Sequence, residues 1–529
     1  MNYGWGSNNF HGALALLVAL ACVPTAAPAQ DAGAELFSNA AVLRIRINIS
    51  PDGMAALRTT PRQYVPGAVQ DGTNGFSKVG IHLKGSTGSF RGLDGKPAFT
   101  ISVDRFDASQ RFHGLRKIHL NNSVEDPSYM NELLGGEMFR AAGVPASRVR
   151  HAIVELNGRR LGLYVLKEGF TEDFLALYFR HANGNLYDTG AGHDVDEDLK
   201  KDLGPNPEDR GDLEALAFAA QEPDLARRWQ QLQRTLDVDR FVSFMAMEIM
   251  LGHRDGYCLA KNNFRVYHDV DSQRMVFFPH GMDVLFGNPR ALIEPRMNGL
   301  VGRAVMETPE GRRAYRHRFT LLYSNVFNTE KLAAQIDRTL PHLSAAVTPP
   351  EATALSREAA LLKERIASRA RELEKLLQQA PLELLQFTDG KARLTGWLPF
   401  DVPKGGSLTQ ANSADGKRSL MIAAGPVTAA SWRTKVLLPP GRYRFECSIQ
   451  VGSVAALSFG KNHGATLRVS GVPAPRPAGL LGNQSWKPMQ VSFETTAREQ
   501  EVDLICDLRA ARGTAWFDLE SLHLVREDK

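Results

Sequence analysis

The sequence predicts an α+β chain, with a mixed α/β region from about Leu36 to Gln379 and an all-β region from about Pro381 to the end. Three observations carry that expectation. Period-two apolar runs and glycine turns fill the first part of the mixed region, and long helical runs fill its second part. Beyond it, short alternating runs are broken by Gly, Pro, Asn and Asp, and four of the six tryptophans (Trp397, Trp432, Trp486 and Trp516) fall there. A chain of 529 residues also exceeds a single core, which rarely grows past about 250–300 residues. Hydrophobic residues at 43% and charged residues at 23% are ordinary for a globular protein. The formal net charge of +5 arises from basic residues interspersed with acidic ones, so nucleic acid is not an expected partner.

The chain opens with an apolar run, Ala13 to Val23, too short to span a bilayer. Small residues follow and end Ala27-Pro28-Ala29, as a signal-peptidase site reads. A leader over residues 1–29 predicts export to the periplasm, the cell surface or the medium; the alternative is a buried N-terminal strand or helix. No Lys or Arg precedes the run, which departs from the pattern. Ala19-Leu20-Ala21-Cys22 is close to a lipoprotein signal, but Ala19 stands where Leu is expected, so a lipid anchor is the less favoured option. No later segment is apolar enough to be a transmembrane span. Of the four cysteines, Cys22 lies in the leader and Cys258 stands alone. Cys447 and Cys506 lie in strand-like segments, where in an exported protein they form either a disulfide or two separate buried thiols. No Cys/His spacing suggests zinc.

Within residues 36–379, Val42–Ile49, Val79–Leu83 and Phe99–Val103 alternate as strands do. A glycine-rich stretch, Lys84 to Lys96, joins the last two, and its glycines permit tight turns that expose backbone N–H groups. Asp126-Pro127-Ser128 predicts a helix start, with Asp126 as cap and Pro127 in the first turn, and the helix runs to about Ala142. Asn157-Gly158 predicts a hairpin turn between Ile153–Leu156 and Leu161–Leu166. Helices follow over Asp212–Gln221 and Leu225–Leu236, then over the nearly all-apolar, hence buried, Asp237–Leu251. Two short strands, Asn263–Tyr267 and Met275–Phe278, flank a turn at Asp269–Ser272, and Glu351–Gln379 reads as a long amphipathic closing helix or linker.

The residue order suits phosphoryl transfer, which needs backbone N–H groups over the phosphates, a Lys to neutralise them, a carboxylate to orient the hydroxyl, and an Asn and a second Asp for magnesium. The glycine-rich stretch is either a phosphate-covering loop leading to Lys96 or a flexible hairpin loop with a solvated Lys. It is not a Walker loop, because Phe90 and Pro97 stand where Gly and Ser/Thr are required. His253-Arg254-Asp255 follows the buried helix, where kinases place their catalytic loop; its bland alternative is an exposed helix end capped by Asp255. Asp283, delivered by the second short strand, is either a metal ligand or a turn cap. His280 reads as a structural histidine. Asp194, Asp196 and Asp198 imitate a calcium loop, but Leu199 and Pro205 replace the required Gly and Glu, leaving a solvated acidic loop. No Gly-x-Ser-x-Gly elbow is present, against an α/β-hydrolase.

Several stretches together resemble the CotH family of spore-coat-protein-H-like atypical protein kinases. They are Lys84-Gly85-Ser86 with Lys96-Pro97-Ala98-Phe99; Phe112 to Leu115 and Leu120-Asn121-Asn122; Asp126-Pro127-Ser128-Tyr129 with Glu132; Gly143-Val144-Pro145; Gly162-Leu163-Tyr164 with Glu168; Asp255-Gly256-Tyr257 with Asn262-Asn263; and Asp283 with Phe286-Gly287. The resemblance implies a divergent two-lobed protein-kinase-like domain using ATP and Mg (or Mn) to phosphorylate Ser or Thr of a protein substrate. It further implies Lys96, with Lys84 and Gly85, at the phosphates, paired with Glu132 (or its rival Glu137), and Asp255 as catalytic carboxylate. Asn263 (or Asn262) and Asp283 would hold the metal, and Glu168 would sit at the hinge near the adenine. Many members carry Trp-Asp-Leu-Asp before Phe-Gly, whereas this chain has His280-Gly281-Met282-Asp283 and lacks the first Asp. Residues 381–529, with Pro440-Gly441-Arg442-Tyr443 and Gly513 to Asp518, resemble a carbohydrate-binding jelly-roll sandwich, implying a polysaccharide partner. Trp516 then belongs to the core, and Trp432 or Trp486 would meet the sugar. The rival function is a non-catalytic surface or adhesion protein that keeps the fold; transfer of another group, such as AMP, is a third.

Overall fold

Alternation in the N-terminal strands closes a barrel. The computed structural model describes residues 1 and 31–527 apart from 87, 379–381, 383, 414 and 497–499, so the expected leader and Cys22 lie outside the described residues. The barrel strands are β1 (Leu43–Ile49), β2 (Val65–Asp71), β3 (Asn74–Lys84), β4 (Ala98–Ser102), β5 (Lys117–Asn121), β6 (Val149–Leu156) and β7 (Arg159–Glu168), in the order β1-β2-β3-β4-β5-β7-β6. Parallel pairing of β1 with β6 closes it, while the other pairs are antiparallel. Ile45, Ile47 and Ile49 of β1 point inward with Val79, Ile81, Phe99 and Ile118, and Arg44, Arg46 and Asn48 point outward. The β6–β7 hairpin turns at Asn157 (φ 48°) and Gly158 (φ 81°), the double positive φ that makes Asn-Gly a tight-turn pair.

The helix expected from Asp126 starts later, at Asn131, and runs to Ala141. Asp126 still receives the Asn131 N–H (2.9 Å) and the Ser128 N–H (3.0 Å), but Tyr129 adopts φ 61°, a left-handed kink that no helix contains. Below the barrel, β8 (Leu186–Asp188), β9 (Lys200–Leu203), β10 (Phe264–Asp269) and β11 (Arg274–Pro279) form a sheet in the order β11-β10-β8-β9. The helix Val238–Leu251 is capped by Asp237 and is buried throughout from Phe241. It stops at Gly252 (φ 66°), whose N–H turns back to Glu248 and Ile249. The acidic loop is not simply solvated: Asp194 is buried, accepting from Leu300 N–H (2.8 Å) and the Tyr257 hydroxyl (3.0 Å).

The long helix Pro349–Gln378 belongs to this core, with Leu355, Leu362, Ile366 and Leu373 buried. Its Arg369, fully buried, donates to the carbonyls of Ile249, Met250, Pro289 and Ala291.

The C-terminal strands are β12 (Lys391–Arg393), β13 (Leu398–Phe400), β14 (Ser407–Asn412), β15 (Arg418–Ala423), β16 (Thr428–Leu438), β17 (Gly441–Ala455), β18 (Gly464–Ser470), β19 (Gly482–Thr495), β20 (Gln500–Ala510), β21 (Arg512–Asp518) and β22 (His523–Arg526). They make two sheets, β12-β22-β17-β21-β15-β14 with β19 added on β17, and β13-β16-β20-β18, around one apolar core. Cys447 and Cys506 are buried free thiols in that core, which removes the disulfide option, and Cys258 is also a buried free thiol. Trp432 is buried, its indole N–H spent on Met421 O, so it is not a sugar platform. Trp516, expected in the core, instead alternates outward between buried Ala515 and Phe517. Trp486 is half-buried, donating to Asp415 (2.7 Å) with the Lys417 ammonium 5.0 Å over its ring. Arg316 joins the sandwich to the helical body by pairing with Glu294 and with Glu501 of β20. No helix among the described residues is long and apolar enough to cross a membrane.

Candidate active site

A cleft of about 570 Å³ opens between the barrel and the helical body, and it gathers Lys84, Gly85, Asp255, Asn262, Asn263 and Asp283. The barrel side is set by β3. Its last residue, Lys84, holds its ammonium 2.6 Å from Asn121 Oδ1. Burial, with Lys167 nearby, pushes the Lys84 pKa down to about 7, against the pull of Glu132 and Asp283. Gly85 follows at φ 110°, where a Cβ would stand 2.9 Å from Phe90 N, so only glycine makes this turn. The loop is pinned by Phe90 N–H to Ser86 O (2.8 Å) and by the Asn122 amide, which donates to Ser89 O (3.0 Å) and Lys96 O (2.9 Å).

Behind Lys84 lies a buried relay. Asn121 donates to Glu132 (3.2 Å), and Glu132 pairs with Lys167 at 2.8 Å with both side chains out of solvent. Lys167 Nζ is 3.3 Å from His280 Nδ1. His280 and His119 stand edge to face at 6.2 Å, and burial beside Lys84, Lys167 and Arg265 holds both well below the usual histidine range, hence neutral. Pairing justifies burying the Glu132–Lys167 ions, since either alone would be left as an uncompensated charge.

The helical side is set by the turn after Gly252. Glu248 accepts the N–H groups of Tyr257 (2.9 Å) and Cys258 (2.8 Å), and His253 Nε2 lies 3.2 Å from Gly281 O. These bonds tie the catalytic-loop candidate to the strand end that carries Asp283. Asp255 accepts from Asn262 (3.0 Å) and Asn263 (2.8 Å). Asp283, its carbonyl held by the Asn131 amide at 2.8 Å, has its carboxyl pushed up to about 7 by burial and by Glu132 and Glu125. Gly281 sits at φ 53°, and a Cβ there would lie 2.2 Å from Asn263 Oδ1. A side chain at 281 would have to displace the Asn263 amide, and Asp283 is the carboxylate that this strand end brings to the cleft, beside His280 and Gly281.

The family model described as CotH kinase protein matches residues 81–371, more than half of the chain. This chain belongs to the CotH family. Inner spore coat protein H of Bacillus subtilis is 24% identical over 274 residues, 46% of this chain and 73% of that protein. Invasin CotH7 of Rhizopus delemar is 26% identical over 182 residues, 32% of this chain, which spans only 30% of that protein's length. Among solved structures, the Helicobacter pylori proinflammatory kinase CtkA is similar at a TM-score of 0.27 and 9% identity, over 55% of this chain and 96% of that one. TmCBM61 in complex with beta-1,4-galactotriose is similar at a TM-score of 0.19 and 17% identity, over 25% of this chain and 88% of that one.

Three of the CotH expectations need correction. Lys96 does not face the cleft: its ammonium is drawn to the Tyr129 hydroxyl (2.6 Å), which the kink at Tyr129 brings over, and it lines a separate cavity. Glu132 therefore pairs with Lys167 rather than Lys96, and Glu137 is not among the residues lining the cleft. Glu168 is spent on Arg148, accepting at 2.9 Å and 2.6 Å, so its carboxylate is not available to a base at the hinge. Sequence reasoning missed Lys167, Asn121 and His119. Lys167 carried a signal, a charged residue in an otherwise apolar strand, Leu161 to Leu166, that must be paired once buried.

Proposed function

We propose that this chain is an exported ATP-dependent kinase that moves the γ-phosphoryl group to a Ser or Thr hydroxyl of a protein. The observation that carries the reading is the convergence of Lys84, Asp255, Asn263 and Asp283, from both sides, on one cleft. The Asp283 carboxyl and Asn263 Oδ1 are hard oxygen donors, and a carboxyl held up near 7 by burial gains from a cation beside it, so the pair fits Mg or Mn. Bound there, the cation would neutralise charge on the phosphates. Lys84, starved of solvent, recovers its ammonium charge against phosphate oxygens. The Asn262 and Asn263 amides hold the Asp255 carboxylate in place to orient the acceptor hydroxyl and take its proton. Glu132 and Lys167 fix Lys84 through Asn121. The apolar run and Ala27-Pro28-Ala29 support export with residues 1–29 removed.

The test is incubation of the purified protein with γ-labelled ATP, Mg or Mn, and a generic protein acceptor. Label on the acceptor with wild type, lost at least a hundredfold in Asp255→Asn while calorimetry still finds nucleotide bound, supports the kinase. Absence of nucleotide binding overturns it in favour of a non-catalytic surface protein, and mass spectrometry of the product separates phosphate from AMP. A second activity, glycan binding by residues 381–529, is favoured by Trp516, which lies outward across Gly452.

A further inference from the structure

Lys96 lines a cavity of about 450 Å³ between β7 and the long helix Pro349–Gln378, apart from the cleft. Its ammonium makes one hydrogen bond, to the Tyr129 hydroxyl, and lies 4.8 Å and 5.0 Å over the rings of Tyr129 and Tyr164. Among the described residues it has no carboxylate partner. The nearby acid, Glu351, is committed to Arg160 (3.1 Å) and to the Thr348 N–H and hydroxyl (both 2.8 Å). Three donors on a half-buried ammonium, with one used, leave room for an anion. Beside the polar Asn122, Ser123 and Glu351, the walls are apolar: Pro127, Leu161, Leu163, Val347 and Leu355. Ser123 (φ 56°) and Tyr129 (φ 61°), both lining the cavity, are non-glycine residues in the left-handed region, and such strain collects at ligand clamps.

We infer that this cavity is a binding site for a small organic carboxylate with an aliphatic tail, its carboxylate on Lys96 and its tail against Leu163 and Leu355. The site goes beyond phosphoryl transfer and does not depend on it. Burial holds Lys96 down to about 8, and an anion would restore its charge. The titratable and charged groups facing it are Tyr129, Tyr164, Arg159, Arg160 and Glu351.

Hexanoate is the probe, titrated by calorimetry into the full chain. Wild type is expected to bind it saturably, Lys96→Arg to bind within about threefold, and Lys96→Met to bind at least tenfold more weakly. Hexanol (tail without charge) and inorganic phosphate (charge without tail) are each expected to bind at least tenfold more weakly than hexanoate. Hexanoate affinity should fall as pH rises through 8 in wild type and not in Lys96→Arg. If Lys96→Met does not fold, the Nζ-methyl signal of 13C-dimethylated Lys96, assigned by its loss in Lys96→Arg, should move on hexanoate addition. No saturable binding, equal affinity in Lys96→Met, a static Lys96 signal, or phosphate binding as tightly as hexanoate overturns the proposal.

Discussion

At the residue scale, Gly281 and Lys84 decide how the cleft works. Gly281 sits at φ 53°, with Asn263 Oδ1 in the path of any Cβ. Gly281→Asp should therefore not restore a second carboxylate. Asp tolerates a left-handed φ better than most residues, so the cost lies in displacing Asn263, which breaks its bonds to Asp255. The expected outcome is a lower urea midpoint and weaker phosphoryl transfer than wild type; a gain in transfer would show that position 281 supplies a ligand. Lys84 sets a pH dependence. Its free pKa lies about 7 against an ordinary 10.5, and phosphate binding requires the charged form, so nucleotide affinity should be full below pH 7 and fall above it, by up to about tenfold per unit. Without divalent cation, ionisation of Asp283 near 7 adds a fall of the same sign. Lys84→Arg keeps its charge throughout, so calorimetry between pH 6 and pH 9 should find a shallower fall in that variant, and an unchanged slope would remove Lys84 from the phosphates.

At the scale of elements, the long helix Pro349–Gln378 braces the catalytic-loop candidate. Arg369 reaches the last carbonyls of the helix Val238–Leu251, whose next residues carry His253 and Asp255, and it also holds Pro289 and Ala291 beyond Asp283. Arg369→Met keeps the stem but leaves those buried carbonyls unpaired, which should cost about 3–5 kcal/mol by chemical denaturation. Nucleotide binding should weaken with it; a variant as stable as wild type would mean the carbonyls find other donors. Elements of this kind were legible where the signal is local. The β1 alternation, the Asn157-Gly158 turn and the apolar run before Gly252 each dictate their own conformation. The signal failed where a distant partner decides. The left-handed Tyr129 delays the helix to Asn131 and captures Lys96, and the Glu132–Lys167 pair joins residues 35 apart that no spacing rule connects. The sequence order points to Lys96, Asp255, Asn263 and Asp283 for the site; the last three are readable because each follows a strand or helix end, whereas the lysine at the cleft is Lys84, a choice that depends on the fold around it.

At the scale of the whole molecule, two surfaces are candidates for function: the cleft between barrel and helical body, and the face of the sheet holding β15, β17, β19 and β21 on which Trp516 stands. The second is built around Trp516, opposite Met421 and Gln450 in register. A Cβ on Gly452 would stand 3.3 Å from Trp516 Cζ3, so the indole lies across the glycine. Trp516 is half-buried, with Gln450 opposite it in register; an indole ring open on one face is what the C–H face of a sugar stacks on, and an amide beside it can bond hydroxyls. Trp486 is a weaker platform, because Lys417 covers its ring and Asp415 takes its N–H. Trp432 serves the core instead. Affinity electrophoresis of the full chain in gels containing soluble polysaccharides, β-galactan among them, should therefore show retardation that Trp516→Ala abolishes. An aromatic anchor of this kind carries about 2 kcal/mol, roughly thirtyfold in affinity. Trp486→Ala should weaken binding less, and neither change should alter label transfer from ATP, since no residue of this face lines the cleft. Retardation by none of the polysaccharides, or retardation unchanged in Trp516→Ala, would leave Trp516 a packing residue and the sandwich without this glycan site.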